Sequence, residues 1–415
     1  MNLFSKISKI ALHLSAIFLF SIASWGQKDV LELLPGAYKL IYNESNGAQR
    51  LVGGGVSFVY QGSTMFCDSA YYFDKLKLIK AYGNVHLNSR DTLNLFCDSM
   101  HYNGKTKQAK LFGNVRARDR EYKISTDTLE YDAKKRVGIY RYGGRVENIL
   151  SNEMLTSRVG YFYPDTKNFF FSGKVNYRSD SLKMTTDTLR YQYLKKIIYF
   201  YGPTTILAKN ATMKCDRGWY HTETDETSLI KNASVVKEGK FIRGDTLYVN
   251  PVQAISRGRG HVFYQDTASR ISFKGDRAYF SDKSRFGFLT GNALGMYALK
   301  KDTLFIHADT LFSYQDSTNH LKRIRGNYDV RFFSSDFQGI CDSLSFEKAT
   351  GKLEMYESPI VWSKNAELKA NFMVVTLRDT LIEQVQLFAK SSAIMAIDSG
   401  SLFNQVAGKD MIAYF

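Results

Sequence analysis

Histidine, cysteine and acidic side chains are the groups that could carry catalysis or hold a metal, and this 415-residue sequence places none of them in a catalytic pattern. No H-E-x-x-H, G-x-S-x-G or G-x-G-x-x-G motif stands in a strand–helix context. The cysteines form no C-x-x-C pair, which argues against zinc, and the histidines after the leader recur at no common position. We therefore predict a protein that is not an enzyme and has no catalytic residue, metal or cofactor. The residues concerned are Cys67, Cys97, Cys215, Cys341, His86, His101, His221, His261, His307 and His320.

Aspartate, by contrast, recurs at a spacing close to 30 residues, inside short phrases such as Thr126-Asp127-Thr128-Leu129. The one gap of 60 residues contains a degenerate copy, Thr156-Ser157-Arg158-Val159. A repeated carboxylate could bind cations, but we favour a bend residue whose carboxylate accepts hydrogen bonds from local N–H groups. The aspartates are Asp68, Asp98, Asp127, Asp187, Asp216, Asp245, Asp276, Asp309 and Asp342.

A second phrase, rich in glycine, interleaves with the first about 15 residues later, as in Gly83-Asn84-Val85 and Gly113-Asn114-Val115. Glycine and asparagine tolerate positive φ, so the phrase predicts a second bend in each repeat. Further copies begin at Gly143, Gly173, Gly260, Gly291 and Gly326. Two phrases in a constant phase relation across the chain indicate a repeat array.

The residues between these phrases alternate as β-strands do. Leu129 and Tyr131 share one parity, whereas Tyr122 and Ile124, upstream of the aspartate, share the other. A phase slip at the aspartate would keep apolar residues inward on both sides, as a bulge does. The 27 tyrosines and 29 phenylalanines with only five prolines also favour β-ladders.

The N-terminus has the form of a secretory signal peptide: Lys6 and Lys9, an apolar run from Ile10 to Ile22, and small residues before Gln27. We divide the chain into a signal peptide over 1–26, a lead-in over 27–50 and a continuous repeat array over 51–415. The net charge of +16 suggests an anionic partner. Because export makes nucleic acid a poor partner, an anionic lipid or glycan is favoured.

The repeated Gly-Asn-Val and Thr-Asp-Thr-Leu-x-Tyr phrases, in an exported basic β-protein, resemble the OstA-like family. That family includes the LptA bridge and the N-terminal domain of LptD in lipopolysaccharide transport, and the resemblance covers roughly residues 51–415. It implies an all-β fold, an elongated, open, twisted β-jelly roll with an apolar trough for acyl chains. It also implies a periplasmic protein whose partners are lipopolysaccharide and other transport proteins, joined through edge strands. A homo-oligomer and an association with the outer membrane are further expectations.

The positions two and four residues after each aspartate are the candidate trough, although ordinary core packing explains them equally well. These candidates are Leu129, Tyr131, Leu189, Tyr191, Leu247, Val249, Phe280, Leu344 and Phe346. Basic residues between Lys105 and Arg145 could contact phosphates at the rim, although an exposed charged face is the default interpretation. The rim candidates are Arg116, Arg118, Arg120, Lys134 and Lys135.

Two features leave alternatives open. Cys67 and Cys97 lie one period apart, so a disulfide could form if they stack on adjacent rungs, but packed free thiols are favoured. Residues 408–415 look like the start of a further unit, which either a partner completes or a longer protein contains. The alternative function is a structural or adhesive β-solenoid that binds glycans, with outward aromatic ladders and a closed, dry core. A β-helical polysaccharide lyase or hydrolase is a more remote alternative.

Overall fold

A computed structural model describes residues 32–414 except 38, 46, 61–62, 90–92, 119–121, 151–152, 164–165, 167, 181, 209, 300–301, 319, 364, 379–380 and 398–401. The predicted signal peptide lies outside these residues. The described chain divides into two compact units, the first containing residues up to 209 with 217–225, and the second containing 210–216 with 226–415. Strand β16 (Ala211–His221) is shared between them.

Both units consist almost entirely of β-strands within the described residues. The strands of unit 1 are β1 (Glu32–Leu33), β2 (Lys39–Asn43), β3 (Ala48–Tyr60), β4 (Ser63–Phe73), β5 (Leu78–Ser89), β6 (Leu93–Asn103), β7 (Gln108–Arg118), β8 (Tyr122–Asp132), β9 (Val137–Tyr140), β10 (Gly144–Asn148), β11 (Glu153–Ser157), β12 (Val159–Tyr163), β13 (Asn168–Arg178), β14 (Leu182–Gln192) and β15 (Ile197–Ala208). A short 3-10 turn, Tyr193–Lys195, precedes β15. The strands of unit 2 are β17 (Thr227–Lys237), β18 (Lys240–Asn250), β19 (Ile255–Asp266), β20 (Ile271–Ser281), β21 (Phe286–Ala298), β22 (Thr303–Gln315), β23 (Leu321–Phe333), β24 (Phe337–Glu347), β25 (Lys352–Tyr356), β26 (Ile360–Ser363), β27 (Ala366–Lys369), β28 (Phe372–Arg378), β29 (Leu381–Ile397) and β30 (Leu402–Tyr414).

Successive strands pair in antiparallel fashion, so each thirty-residue repeat is two strands joined by a hairpin. In unit 1, β4 pairs with β5, β5 with β6, β6 with β7 and β7 with β8. Unit 2 follows the same rule from β17 to β25. The predicted all-β jelly roll of about thirty-residue repeats is therefore confirmed.

Each long strand is interrupted by a β-bulge at the repeated phrases. Between β7 and β8 the register passes from Phe112↔Thr128 to Val115↔Thr126, so Gly113 and Asn114 oppose Asp127 alone. Gly113 and Asn114 both have positive φ, 72° and 48°. The burial pattern changes parity at this point, with 122, 124 and 126 inward before it and 129 and 131 inward after it. The predicted phase slip at the aspartate is confirmed.

The two phrases form one bend rather than the two that the sequence suggested, because neighbouring antiparallel strands bring them together. Asn84 Nδ2 donates to Asp68 Oδ2 over 3.0 Å, and the same bond joins Asn114 to Asp98 over 2.9 Å. Asn232–Asp216 and His261–Asp245 repeat the pairing in unit 2. In these bends the aspartate carboxylate thus accepts from a side chain on the next strand, whereas we expected local N–H groups.

The degenerate copy keeps the bend without the carboxylate. Arg158 occupies the aspartate position, and its N–H donates to the carbonyl of Gly173 over 2.9 Å. Here Tyr140 packs against Gly144 and Gly160, where an added Cβ would approach its ring to about 2.5 Å. The Tyr140 hydroxyl lies 2.6 Å from Ser157 Oγ. Burial raises the pKa of Tyr140 to about 12, so this hydroxyl stays protonated.

The bulge gives each strand two arms, and the arms form two layers. We call the arms that end in the hairpin turns the turn layer (for example 108–112 and 128–132) and the other arms the loop layer (115–118 and 122–126). Inward side chains of both layers share one core. In unit 2, Tyr297 of the loop layer meets Phe346 of the turn layer with ring centroids 5.9 Å apart. The bends therefore lie along one edge of the core, and the hairpin turns lie along the opposite edge.

The four cysteines are free and buried. Cys97 is paired with Val85 of β5, and Cys67 lies on β4 beyond that strand. Two strand spacings make about 10 Å, which exceeds the Cα separation of about 7 Å that a disulfide tolerates. The favoured prediction of packed free thiols is confirmed, and the alternative Cys67–Cys97 disulfide is wrong.

Replacing a bulge glycine should destabilise the fold. At Gly113 a Cβ would lie 2.2 Å from Asp98 Oδ2, and φ is positive. We expect Gly113→Ala to lower the free energy of unfolding of unit 1 by about 2 kcal/mol, measured by urea denaturation. Gly47→Ala is the matched control, because Gly47 also has positive φ but nothing lies within 4 Å of its added Cβ. Equal losses for the two variants would show that the carboxylate does not constrain the bend.

The native thiols should react slowly. Burial and then the adjacent aspartate raise the pKa of Cys67 to about 11, and the same causes raise those of Cys97 and Cys341 to about 12. At pH 8 we expect Ellman's reagent to modify them only after urea unfolding. Above pH 9 these thiols lose their protons in the unfolded chain but keep them in the folded chain. The free energy of unfolding should therefore fall as pH rises from about 9 to about 11. Rapid modification of the folded protein would contradict the burial.

Candidate functional site

The space between the two layers of unit 1 contains a cavity of about 80 Å³. The turn layer contributes an apolar wall, and the loop layer contributes a wall of mixed character. The turn-layer residues are Phe169, Phe171, Leu189, Tyr191 and Ile198, and the principal loop-layer residues are Tyr122, Val146, Asn148, Glu153, Leu155 and Tyr177. The bend positions these side chains, because the parity change turns the apolar residues of both arms inward.

All four predicted trough residues of unit 1 point into this interior. Leu129, Tyr131, Leu189 and Tyr191 are between 2% and 8% exposed. Leu189 and Tyr191 line the cavity directly, and the Tyr191 ring stacks on Phe169 at 6.3 Å. In this conformation these residues pack as core, so an elongated ligand would enter only if the layers move apart.

In unit 2 the predicted trough residues differ in how deeply they are buried. Leu247, Leu344 and Phe346 are buried, and the latter two belong to a continuous core made by both layers. Phe280 is half-buried, and Val249 is 40% exposed near the end of β18. Val249 is thus more exposed than Tyr131, Tyr191 and Phe346, although each of these is likewise the last-but-one residue of its strand.

The unit 1 interior also holds acidic and phenolic groups that sequence reasoning missed. Glu153 is 6% exposed and lines the cavity beside Tyr177. Burial raises the pKa of Tyr177, and the negative charge of Glu153 is the second cause of the increase. Tyr220 donates to Asp225, whose pKa is raised by burial. Tyr220 stands at a repeat position, four residues after Asp216, but Glu153, Tyr177 and Asp225 stand in no repeated phrase, so only the tertiary structure could reveal their place in this interior.

The predicted rim residues do not form one cluster. Arg116 and Arg118 are exposed in the loop layer, where they pair with Phe96 and Asn94. Lys134 and Lys135 are exposed in a hairpin turn of the turn layer. The bulge at Gly113 separates the two pairs, and Arg120 lies outside the described residues.

The hairpin turns of unit 1 form a more extensive basic rim. Four of these turns, at 74–77, 104–107, 133–136 and 193–196, carry at least two basic residues each, and they lie on the edge of the interior opposite the bends. The residues are Lys75, Lys77, Lys105, Lys107, Lys134, Lys135, Arg136, Lys195 and Lys196. Two of the nearby acids hold the turns in shape: Asp74 pairs with Lys77 over 2.7 Å, and Asp132 accepts from the backbone of Lys135. This rim suits an anionic group at the mouth of the interior.

Two further features concern metal ions and membrane-spanning helices. Among the described residues, no group of three His, Cys, Asp or Glu side chains could hold a metal ion. The histidines serve other contacts, as in His86, which stacks on Phe96 at 4.3 Å. In the same part of the chain, no helix is long and apolar enough to cross a membrane.

Comparison with known proteins identifies the first part of the array. The family described as OstA-like protein matches residues 36–187. This segment is similar to the OstA-like family. The matched range contains the bends at Asp68, Asp98 and Asp127 and reaches Asp187, so the predicted resemblance is confirmed here. No curated protein matches the chain.

Among solved structures, LptH of Pseudomonas aeruginosa is similar to part of the chain. It is described as the LptA homologous periplasmic component of the conserved lipopolysaccharide transport device. The match has 10% sequence identity and a TM-score of 0.25, and it covers 33% of this chain and 96% of LptH.

Proposed function

We propose that this protein is a periplasmic component of lipopolysaccharide transport that carries acyl chains between its two β-layers toward the outer membrane. The OstA-like segment over 36–187 supports the role. The observation that carries the mechanism is the cavity between the layers, walled by Leu189, Tyr191 and three further apolar residues of the turn layer. This is a binding and transport function without catalysis.

The fold allows the layers to separate at modest cost. The backbone ladders run within each layer, as between 108–112 and 128–132 or between 115–118 and 123–126. At the edge opposite the bends, hairpin turns close the turn layer and separate loops close the loop layer, so no backbone ladder joins the two layers there. Parting the layers there breaks side-chain contacts and spares the ladders. An acyl chain that enters replaces those contacts, with about 0.8 kcal/mol for each CH₂ removed from water.

The basic hairpin turns would hold the headgroup while the acyl chains are inside. Lysine is a flexible point charge that binds phosphate without strict geometry. Four of the turns, such as 74–77 and 104–107, carry at least two basic residues each, so similar positive charge recurs along the array. Repetition of similar weak sites suits a lipid that must move along the protein.

Photocrosslinking tests whether lipid lies inside. We expect p-benzoylphenylalanine at Leu129, Leu189 or Tyr191 to capture lipopolysaccharide in cells, because these side chains face the interior. The matched controls are Glu130 and Arg190, which adjoin them on the same strands but pair with outward residues such as Lys110 and Phe170.

Two outcomes of the crosslinking would contradict an interior site for the lipid. Capture from Glu130 and Arg190 at the same level as from the interior positions would place the lipid on the outer surface. A complete lack of capture in cells that still export lipopolysaccharide through this protein would reject the interior as the carrier.

We further propose that β30 (Leu402–Tyr414) docks with a second copy or with another transport protein by strand addition. In the described residues β30 pairs with β29 only. It is thirteen residues long, and its apolar side chains are exposed, including Leu402 at 66% and Phe403 at 63%. A long apolar edge strand is a ready template for another strand.

Proline in β30 tests the docking. We expect Val406→Pro to abolish self-association, measured by light scattering after size exclusion, and to remove crosslinks from Phe403 to partners, because proline cannot donate a ladder hydrogen bond. Val236→Pro would be an inadequate control, because Val236 lies in β17, which is paired with β18. The matched control is therefore Lys409→Gln, which changes an exposed charge within β30 itself. Unchanged assembly in Val406→Pro would show that β30 is not the docking strand.

A further inference from the structure

The outer face of the loop layer in unit 2 carries an aromatic row beside a basic row. Cross-strand pairing aligns Met296, Phe305, Phe333, Gln338 and Trp362 in one row. The neighbouring row aligns Lys274, Leu294, His307, Arg331 and Ile340. Both rows point away from the core, since the alternate residues Leu304, Ile306 and Phe332 are buried.

The two rows enclose a pocket of about 310 Å³. Its volume lies at the lower end of the range of about 300–1,000 Å³ that small-ligand sites occupy. Phe333 is 52% exposed and Phe305 is 36% exposed. The floor is formed at Gly339, where the ring of Phe332 occupies the space that a side chain would need. The lining residues are Leu294, Phe305, His307, Arg331, Phe332, Phe333, Gln338, Gly339, Ile340 and Trp362.

Neighbouring acids hold two of the lining side chains in place. Asp329 accepts from Arg331 Nη2 over 2.9 Å and from its Nε over 3.3 Å. Glu367 accepts from Trp362 Nε1 over 2.8 Å. A guanidinium and an indole fixed in this way lose less conformational freedom when a ligand binds. His307 Nδ1 is buried in the pocket wall and has no hydrogen-bond partner among the described residues.

We propose that this pocket binds a pyranose ring of an acidic oligosaccharide. The C–H face of a pyranose packs against the electron-rich face of an aromatic ring, which Phe305, Phe333 and Trp362 supply. Hydroxyl groups match the planar polar side chains of Gln338 and Arg331. The basic row, from Lys274 to Arg331, complements a carboxylate or phosphate on the sugar, and the pocket itself is lined by no acid.

An acyl chain is the less suitable occupant of this pocket. It would bury two basic side chains and an amide without giving them a hydrogen-bond partner, which is unfavourable. A sugar satisfies those groups and uses the aromatic row as well. The inference concerns the outer face of unit 2 and does not rest on lipid transport between the layers.

Tryptophan fluorescence provides the test, because the sequence holds only Trp25, Trp219 and Trp362. In a Trp25→Phe/Trp219→Phe background, which leaves Trp362 as the single tryptophan, the full chain is titrated with oligogalacturonate, which carries carboxylates, and with delipidated lipopolysaccharide oligosaccharide, which carries phosphates. Maltohexaose is the neutral probe. We expect at least one acidic probe to change Trp362 emission, with an affinity that falls as salt rises and at least tenfold weaker binding of maltohexaose. The probe that binds identifies the anionic group.

Saturation-transfer NMR with the same probes measures the variants. We expect Trp362→Ala and Arg331→Gln each to weaken binding at least tenfold. Arg325→Gln, an exposed arginine of the turn layer, and Phe66→Ala, an exposed aromatic of unit 1, should leave it unchanged. Circular dichroism confirms that each variant is folded. The proposal is overturned if neither acidic probe binds, if maltohexaose binds equally well, or if the pocket variants bind as the controls do.

Discussion

The whole structure depends on the bend at which an aspartate of one strand meets a glycine-containing bulge of the next. An uninterrupted β-strand alternates its faces, so a strand that folds over a core would turn its apolar residues outward after the fold. The extra residue of the bulge corrects this by one position. At Gly113 and Asn114 the correction needs two residues with positive φ, and the Asp98 carboxylate lies where any larger side chain would be. Within each unit, the recurrence of this device keeps apolar residues inward on both sides of the bend.

The bend also explains how such a fold could serve a lipid. It joins the two layers along one edge and leaves the other edge to hairpin turns, whose lysines face solvent. In the proposed function, the interior would widen at that edge while each ladder keeps its hydrogen bonds. The degenerate bend departs from this pattern, because Arg158 replaces the aspartate and Tyr140 packs on Gly144 and Gly160. Close to it in unit 1 lie the cavity and the buried Glu153.

Much of this architecture could be predicted from local sequence. Parity alone showed that Leu129 and Tyr131 face inward with Tyr122 and Ile124 despite their opposite phase, because side-chain alternation is a local property. The interior position of Leu189 and Tyr191 followed from the same rule. Val249 did not share it, although it occupies the same place in its strand as Tyr131 and Tyr191, so parity alone does not decide burial. The rim was harder, since Arg116 and Lys134 are close in sequence but lie on opposite sides of a bend.

The sequence by itself determined the period, the strands, the parity change and the OstA-like resemblance, because each of these depends on residues within one repeat. Only the tertiary structure decided which strands become neighbours. It joined the aspartate and glycine phrases in one bend and placed β5 between Cys67 and Cys97. It also brought Glu153 beside Tyr177 and aligned Phe305, Phe333 and Trp362 in one row. Such juxtapositions depend on cross-strand register between distant residues, and no local pattern encodes which unrepeated side chains that register will bring together.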